Sequence, residues 1–413
     1  MPDKCRNCQS PLVHDVVDLG LSPVSNHFRE LGDAVNVGQT FYPLVARVCT
    51  SCWLVQLTDV ETPPHFDEDY AYFSSFSKSW LEHAKSYASQ MTEDLSLGSN
   101  SLVVELASND GYLLQYFKNA GVPVLGVEPS ANVAQYAKDN HGIDCITDFF
   151  GRGVADEIVR RGQKADLVVA NNVLAHVPDI NDFIAGVAKI LTVHGTATFE
   201  FPHLMRMLTE GQFDTIYHEH FFYLSLLAVE KIFATHGLSV HGVEELPTHG
   251  GSLRVYASHT SSGVHDKDLA RTRDKIRTEE AAFGVDRVES YAQFSQLPAK
   301  CKSDLLAFFI DARKQGKTVC GYGAPAKGNT LLNYCGIGPE FLPFTSDMSP
   351  QKQSKLLPGL NIPVHAPEVI DKEKPDYILI LPWNLREEIA GQLAHTREWG
   401  AQFVVAIPEL EVF

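Results

Sequence analysis

Three groups of residues in this 413-residue chain have the types and spacing that chemistry needs. The first is Cys5-Arg-Asn-Cys8 with Cys49-Thr-Ser-Cys52. Each pair can turn two thiolates toward one point, and two such turns complete a tetrahedral Zn²⁺ site with no open coordination position. A closed site of this kind is structural, and Lys4 and Arg6 would offset its negative charge. A nucleic-acid zinc ribbon would use the same ligands, but the segment has no basic cluster. The remaining cysteines (Cys145, Cys301, Cys320 and Cys335) share no spacing and read as small buried apolar residues.

The second group, Ile216-Tyr217-His218-Glu219-His220-Phe221-Phe222-Tyr223, is the densest chemistry in the chain. A zinc-peptidase helix spaces its histidines four apart, whereas these are two apart, so the metal reading is weak. A packed aromatic edge is the plain alternative. Acid-base chemistry is the third reading: a histidine titrates near neutrality, a glutamate can set its tautomer, and a tyrosine can donate to a developing oxyanion. The backbone decides which side chains meet. In an extended segment His218 and His220 share a face. In a helical turn Tyr217 and His220 share one and His218 turns away. Both remain open in the sequence.

The third group lies at the ends of apolar runs. Leu102-Val-Val-Glu105-Leu-Ala107-Ser-Asn109-Asp-Gly111 reads as a strand running into a turn that opens a helix. Glu128 follows 23 residues after Glu105, at the end of the next apolar run, where an acidic side chain accepts bonds from ribose hydroxyls. Ala107 and Asn109 stand where a pyrophosphate cofactor would need glycines, so a cofactor without pyrophosphate is expected, and S-adenosylmethionine is the obvious one. Glu105 would then lie near its methionine end, with Asp148 and Phe149 near the adenine. Asn171 and Asn172 end a further strand, with His176 just beyond at the pocket mouth; a hydrogen-bonded structural histidine is the alternative there.

These groups need a scaffold. Strand and helix patterns alternate from about residue 100 to 202, which means a parallel sheet with crossover helices. Apolar positions at helical spacing precede it over 78–97. The first 70 residues read as a small irregular lobe. The charged run Lys267 to Glu280 reads as a solvated helix face or connector. Alternation restarts at Lys317. The expected fold is therefore α/β: a small zinc-binding lobe over 1–70, a Rossmann-like S-adenosylmethionine-binding domain over 71–260, and a smaller Rossmann-like domain over 261–413.

Composition bounds the rest. Acidic residues outnumber basic ones, 51 to 34, for a net charge of −17. That balance argues against a nucleic-acid partner, which needs a basic stripe. No apolar run approaches a membrane span and the N-terminus lacks a signal-peptide core, so a cytoplasmic protein off the membrane is expected.

In order along the chain, CRNC, CTSC, YAYFSSFS, ELASNDGYLL, NNVLAHVPD, YHEHFFYLS, HGGSLRVY and GYGAPAKGNTLLN resemble the sugar C-methyltransferases that act on nucleotide-linked keto-deoxysugars. The resemblance spans essentially the full length. It implies a structural zinc, S-adenosylmethionine in the middle domain and a C-terminal domain that helps hold the nucleotide-sugar. It implies His220 as the base, with Tyr217, Glu219, His176 and Tyr72 as further active-site residues. Lys327 and Asn329, with Tyr322 beside them, are expected to contact the nucleotide-sugar, and the protein to be a monomer or weak oligomer. C-3′ methylation is the expected outcome, with C-5 also known in the family. Two other readings stand beside it. Gly321, Gly323 and Asp347 could mark an NAD-dependent nucleotide-sugar oxidoreductase. A catalytically silent nucleotide-sugar-binding protein could share the scaffold.

Overall fold

The computed structural model describes residues 3–32, 38–60, 73–264 and 266–413. Its centre is a seven-stranded sheet. Five parallel strands, Cys145–Ile146, Val124–Val127, Val103–Leu106, Ala165–Asn171 and Leu191–Pro202, lie side by side in that order. Numbered along the chain they run 3-2-1-4-5, the order of a doubly wound sheet. Ser252–His259 and Leu238–Leu246 extend it antiparallel. All four residues of Val103–Leu106 are buried, because helices cover both faces of the sheet. Asp179 starts the helix Ile180–Ile190 by accepting from the Asn181 and Asp182 amides. The expected helix over 78–97 is found at Lys78–Asp94, started by Ser77.

The charged run beyond residue 266 is more than a solvated face. It forms the helix Lys267–Phe283, which packs along the strand Leu238–Leu246 and buries Ala270, Ile276 and Glu280. Glu280 accepts from the Leu226 and Leu227 amides at 2.7 and 2.9 Å, and so caps the helix Leu226–Ala234 with a buried carboxylate.

A second doubly wound sheet follows. Its parallel strands Val364–His365, Thr345–Ser346, Val319–Tyr322, Tyr377–Ile380 and Gln402–Val405 repeat the 3-2-1-4-5 order, and Glu411–Val412 closes the edge antiparallel. The N-terminal strands His14–Ser22, Tyr42–Val48 and Val55–Leu57 form a separate sheet whose fourth strand, Phe222–Tyr223, comes from the middle of the chain. This lobe does not rely on a core of its own. Val16, Leu44 and Ala46 join one apolar cluster with Phe213, Leu331 and Ile378. Cys5, Cys49 and Cys52 join a different one with Val104 and Phe222.

Candidate active site

The four cysteines converge. Sγ of Cys5 lies 3.5 Å from that of Cys52, Sγ of Cys8 lies 3.5 Å from that of Cys49, and all four fall within 4.8 Å of one another. A tetrahedral zinc with bonds of about 2.3 Å needs sulfurs roughly 3.8 Å apart, so the set fits the ion. Each pair is followed by a left-handed residue, Gln9 (φ 62°) and Trp53 (φ 65°), which closes the two turns alike. Gln56 supports the cluster: Nε2 donates to Cys5 Sγ at 3.2 Å and Oε1 accepts from the Arg6 amide at 2.8 Å.

The zinc lobe also grips the segment that follows His220. Gln56 pairs in register with Phe222, and the Leu57 amide donates to the Phe221 carbonyl at 3.0 Å. The Arg6 guanidinium lies 4.7 Å over the Phe221 ring and donates to the Pro178 carbonyl. Asn181 donates to the carbonyls of Arg6 and Asn7. The first cysteine turn thus touches both the segment after His176 and the segment after His220.

At the first sheet's switch point, the loop after Val103–Leu106 alternates into left-handed backbone at Ala107 (φ 57°), Asn109 (φ 49°) and Gly111 (φ 78°). It keeps a glycine-like course with one glycine. At Gly111 the left-handed backbone and the nearby Ile143 side chain, which a Cβ would displace, both favour glycine. Glu128 holds the loop: Oε2 accepts from the Asn109 amide at 2.9 Å and Oε1 from the Ser130 amide at 2.8 Å. Among the described residues, Glu105 Oε2, Asp110 Oδ1, Asn171 Oδ1 and Asn172 Oδ1 are buried acceptors without a donor. Burial holds the Glu105 carboxyl well above its usual range, with Asp110 and Glu128 adding to the effect. Acceptors gathered this way suit a cationic, hydroxyl-bearing ligand, which describes S-adenosylmethionine. Asp148 and Phe149 sit exposed on the outer lip, beyond the strand Cys145–Ile146.

The segment at 217–220 is a turn. The His220 amide donates to the Tyr217 carbonyl at 2.9 Å. Nδ1 of His220 lies 2.9 Å from the Thr215 carbonyl, and a carbonyl only accepts, so Nδ1 carries the proton and Nε2 the lone pair. The Tyr217 hydroxyl donates to that Nε2 at 2.6 Å. His218 turns away to the Pro43 carbonyl. Glu219 does not set the tautomer; the Thr215 carbonyl does. The turn points the Glu219 side chain away from the His220 ring and into the N-terminal lobe, where it is buried and accepts from the Asn26 amide at 3.0 Å. Its backbone carbonyl instead lies 2.7 Å from His176 Nδ1, and the His176 ring meets the His220 ring edge-on at 4.7 Å. Burial holds His220 well below the usual histidine range, and His176 adds to the effect. Tyr72 lies outside the described residues.

The second sheet's switch point faces this dyad. Lys327, at the start of the helix Ala326–Cys335, lies 4.6 Å over the Trp383 ring and donates to Asn384 Oδ1 at 2.8 Å. Trp383 Nε1 donates to Asp214 at 2.7 Å. Burial pushes the Asp214 carboxyl up to about 6, against the opposing charge of Lys327. Thr330 donates to the Ile216 carbonyl, which ties this helix to the turn at 217–220. Asn329 is not beside Lys327. Two helical positions turn a side chain by about 200°, and Asn329 is buried against the N-terminal lobe, donating to the Ser25 carbonyl at 2.6 Å. The buried Tyr322 hydroxyl lies 3.4 Å from Gln392 Oε1.

C-methyltransferase NovU of Streptomyces niveus is 36% identical over 411 residues, covering 99% of this chain and 96% of that one. The chain belongs to the C-methyltransferase family. Models of a zinc binding domain, a methyltransferase domain and a C-methyltransferase C-terminal domain match residues 5–66, 80–243 and 247–408. A ubiquinone biosynthesis O-methyltransferase of Bartonella quintana is 26% identical over 96 residues, 23% of this chain and 39% of its own. The magnesium protoporphyrin IX methyltransferase of Synechocystis, solved with bound SAM, covers 44% of this chain and 79% of its own, at 17% identity and a TM-score of 0.34.

For a C-methyltransferase, S-adenosylmethionine and zinc are the cofactors these parts hold. Glu128→Ala releases the Asn109 and Ser130 amides that shape the loop, so it should weaken S-adenosylmethionine binding about ten- to a hundred-fold, the worth of one charged hydrogen-bond acceptor. Calorimetric titration checks it; parent-like affinity would move the cofactor elsewhere.

One buried network has no counterpart in the sequence reading. Glu200 accepts from Arg254 at 2.7 Å and from Thr248 at 2.8 Å, and its Oε2 lies 2.9 Å from His83 Nε2. Against the effect of burial, His83 and Arg254 hold its carboxyl down at about 2. The signal was faint: a lone glutamate within an apolar strand. Among the described residues, no helix is long and apolar enough to cross a membrane.

Proposed function

We propose that this protein transfers the methyl of S-adenosylmethionine to a carbon of a nucleotide-linked keto-deoxysugar, at C-3′, through an enolate formed by His220. The observation that carries the reading is the meeting of two doubly wound switch points at one phenol–imidazole pair. One offers unpaired acceptors to a cation. The other offers the Lys327 ammonium to an anion. Ligands bind at such switch points, and two substrates must be held face to face for a carbon to reach a methyl group.

Carbon is a poor nucleophile until a proton alpha to a ketone is removed. His220 takes that proton on Nε2. As Nε2 takes the proton, the Tyr217 hydroxyl that was donating to it turns to the enolate oxygen, so the negative charge develops against a donor one bond rotation away. Nδ1 stays on the Thr215 carbonyl throughout and keeps the ring oriented. S-adenosylmethionine supplies an electrophilic methyl group when bound. Lys327 holds the diphosphate. Family membership removes the motive for the oxidoreductase reading, and the assembled Tyr217–His220 pair argues against a silent binding protein.

Lys327→Ala should raise the KM for the nucleotide-sugar about ten- to a hundred-fold, as loss of a charge-assisted contact does, and leave S-adenosylmethionine affinity alone. Steady-state kinetics with each substrate varied in turn separates the two. For the enolate, the test is hydrogen exchange: a 4-keto nucleotide-sugar in heavy water with S-adenosylhomocysteine should exchange its alpha proton on the wild type. Methyl transfer with no exchange and no isotope effect at that carbon would overturn an enolate route.

A further inference from the structure

None of the roles above uses the turn Thr248-His249-Gly250-Gly251, although Lys327 and His176 are electrostatic neighbours of its histidine. His249 adopts φ 55° and ψ 20°, left-handed backbone for a residue that carries a Cβ. Such a conformation persists where the surroundings over-determine it, and strain of this kind gathers at ligand sites. Here two elements clamp the turn. On one side Thr248 donates to Glu200, which Arg254 holds from behind. On the other, Gly250 (φ 89°) lies so close to Trp383 that any Cβ would collide with the indole. The Gly251 amide closes the turn on the Thr248 carbonyl at 2.9 Å.

The clamp holds the His249 ring edge-on to Trp80, 5.7 Å between centroids. Lys327, Glu200, His83 and His176 are its electrostatic neighbours, and it acts in turn on His220. Among the described residues its imidazole has no hydrogen-bond partner, while His176 and His220 are each satisfied through Nδ1. A purely structural turn at this φ would be served with less strain by glycine or asparagine.

We propose that His249 contacts the methyl acceptor, donating a hydrogen bond from its imidazole to an oxygen of the sugar. Burial, with Lys327 nearby, pushes its pKa down to about 4, so at neutral pH the ring is uncharged and presents one N–H donor. Its turn packs on Trp383, the ring that Lys327 covers, and it acts electrostatically on both Lys327's site and His220, the two groups between which the sugar must lie. The assignment rests on the acceptor reading given above.

The test is calorimetry on the full chain with four probes: S-adenosylhomocysteine, thymidine diphosphate, and thymidine- and cytidine-diphospho-4-keto-6-deoxyglucose. His249→Gly relieves the strained backbone, so its melting temperature should not fall. It should bind S-adenosylhomocysteine and thymidine diphosphate as wild type does, and lose about three- to ten-fold for the preferred sugar nucleotide, the worth of one neutral hydrogen bond. His249→Asn, which tolerates the same backbone and keeps a donor, should recover part of that loss. Unchanged sugar-nucleotide affinity in His249→Gly overturns the proposal. So does an equal loss for thymidine diphosphate, or a fall in melting temperature with binding intact. A wild type that binds S-adenosylhomocysteine but neither sugar nucleotide overturns the acceptor reading, and this assignment with it.

Discussion

His220→Asn should turn over about 10²–10⁴-fold more slowly than wild type, the usual contribution of a general base, and bind S-adenosylmethionine unchanged. Asparagine keeps a donor for the Thr215 carbonyl but removes the basic lone pair at Nε2, so the turn survives and the proton acceptor does not. The partner variant Tyr217→Phe keeps the base and removes the donor that moves to the enolate; its loss should be smaller and fall on kcat. His218→Asn should be mild, since that ring faces the Pro43 carbonyl. The pH profile gives a second check. A base works deprotonated, and burial lowers the His220 pKa, so kcat/KM should hold as the pH falls through about 6.5 and decline only below it. An acid limb centred at or above 6.5, or near-wild-type turnover in His220→Asn, would pass the role to His176.

Cys49→Ser should lose zinc and, with it, both thermal stability and order in the turn that carries His220. Structural zinc contributes on the order of 10 kcal/mol to folding in small domains. The loss here should be smaller, because the lobe shares apolar cores with the rest of the chain. The distinctive expectation is local. Gln56 bridges Cys5 to the strand that begins at Phe222, two residues after His220, so hydrogen exchange at the Leu57 and Gln56 amides should rise before global unfolding. Metal analysis and exchange mass spectrometry measure both. A variant with unchanged zinc content would remove these cysteines as ligands. Zinc loss without any change at 55–57 would show that the metal leaves the turn alone.

What the sequence disclosed follows from which forces are local. Parallel strands buried on both faces are apolar runs, so Val103–Leu106, Val124–Val127 and Ala165–Asn171 stand out, as do the two cysteine turns. The state of residues 217–220 did not, because distant groups help set it: the Ala175 carbonyl that receives the Phe221 amide, the Pro43 carbonyl beside His218, and the zinc lobe. The same distance hid the fate of Glu219, whose partner is 193 residues away at Asn26. Asn329 was readable in principle, since helical spacing alone separates it from Lys327. His249 left a trace in the two glycines that follow it, but a left-handed histidine has no signature of its own. The charged run at 267–280 misled because its exposed face is rich in charge, while the few residues it buries include a carboxylate with a capping role.

The most direct test of the central claim is where the methyl goes. Wild-type protein should be incubated with S-adenosylmethionine carrying a ¹³C-labelled methyl and a nucleotide-linked 4-keto-deoxysugar, and the product read by carbon–proton correlation NMR. The account predicts a labelled methyl bonded to C-3′ of the sugar, with the nucleotide intact and the alpha proton replaced. A label on oxygen or nitrogen, or none on the sugar nucleotide while S-adenosylmethionine is bound, would contradict it.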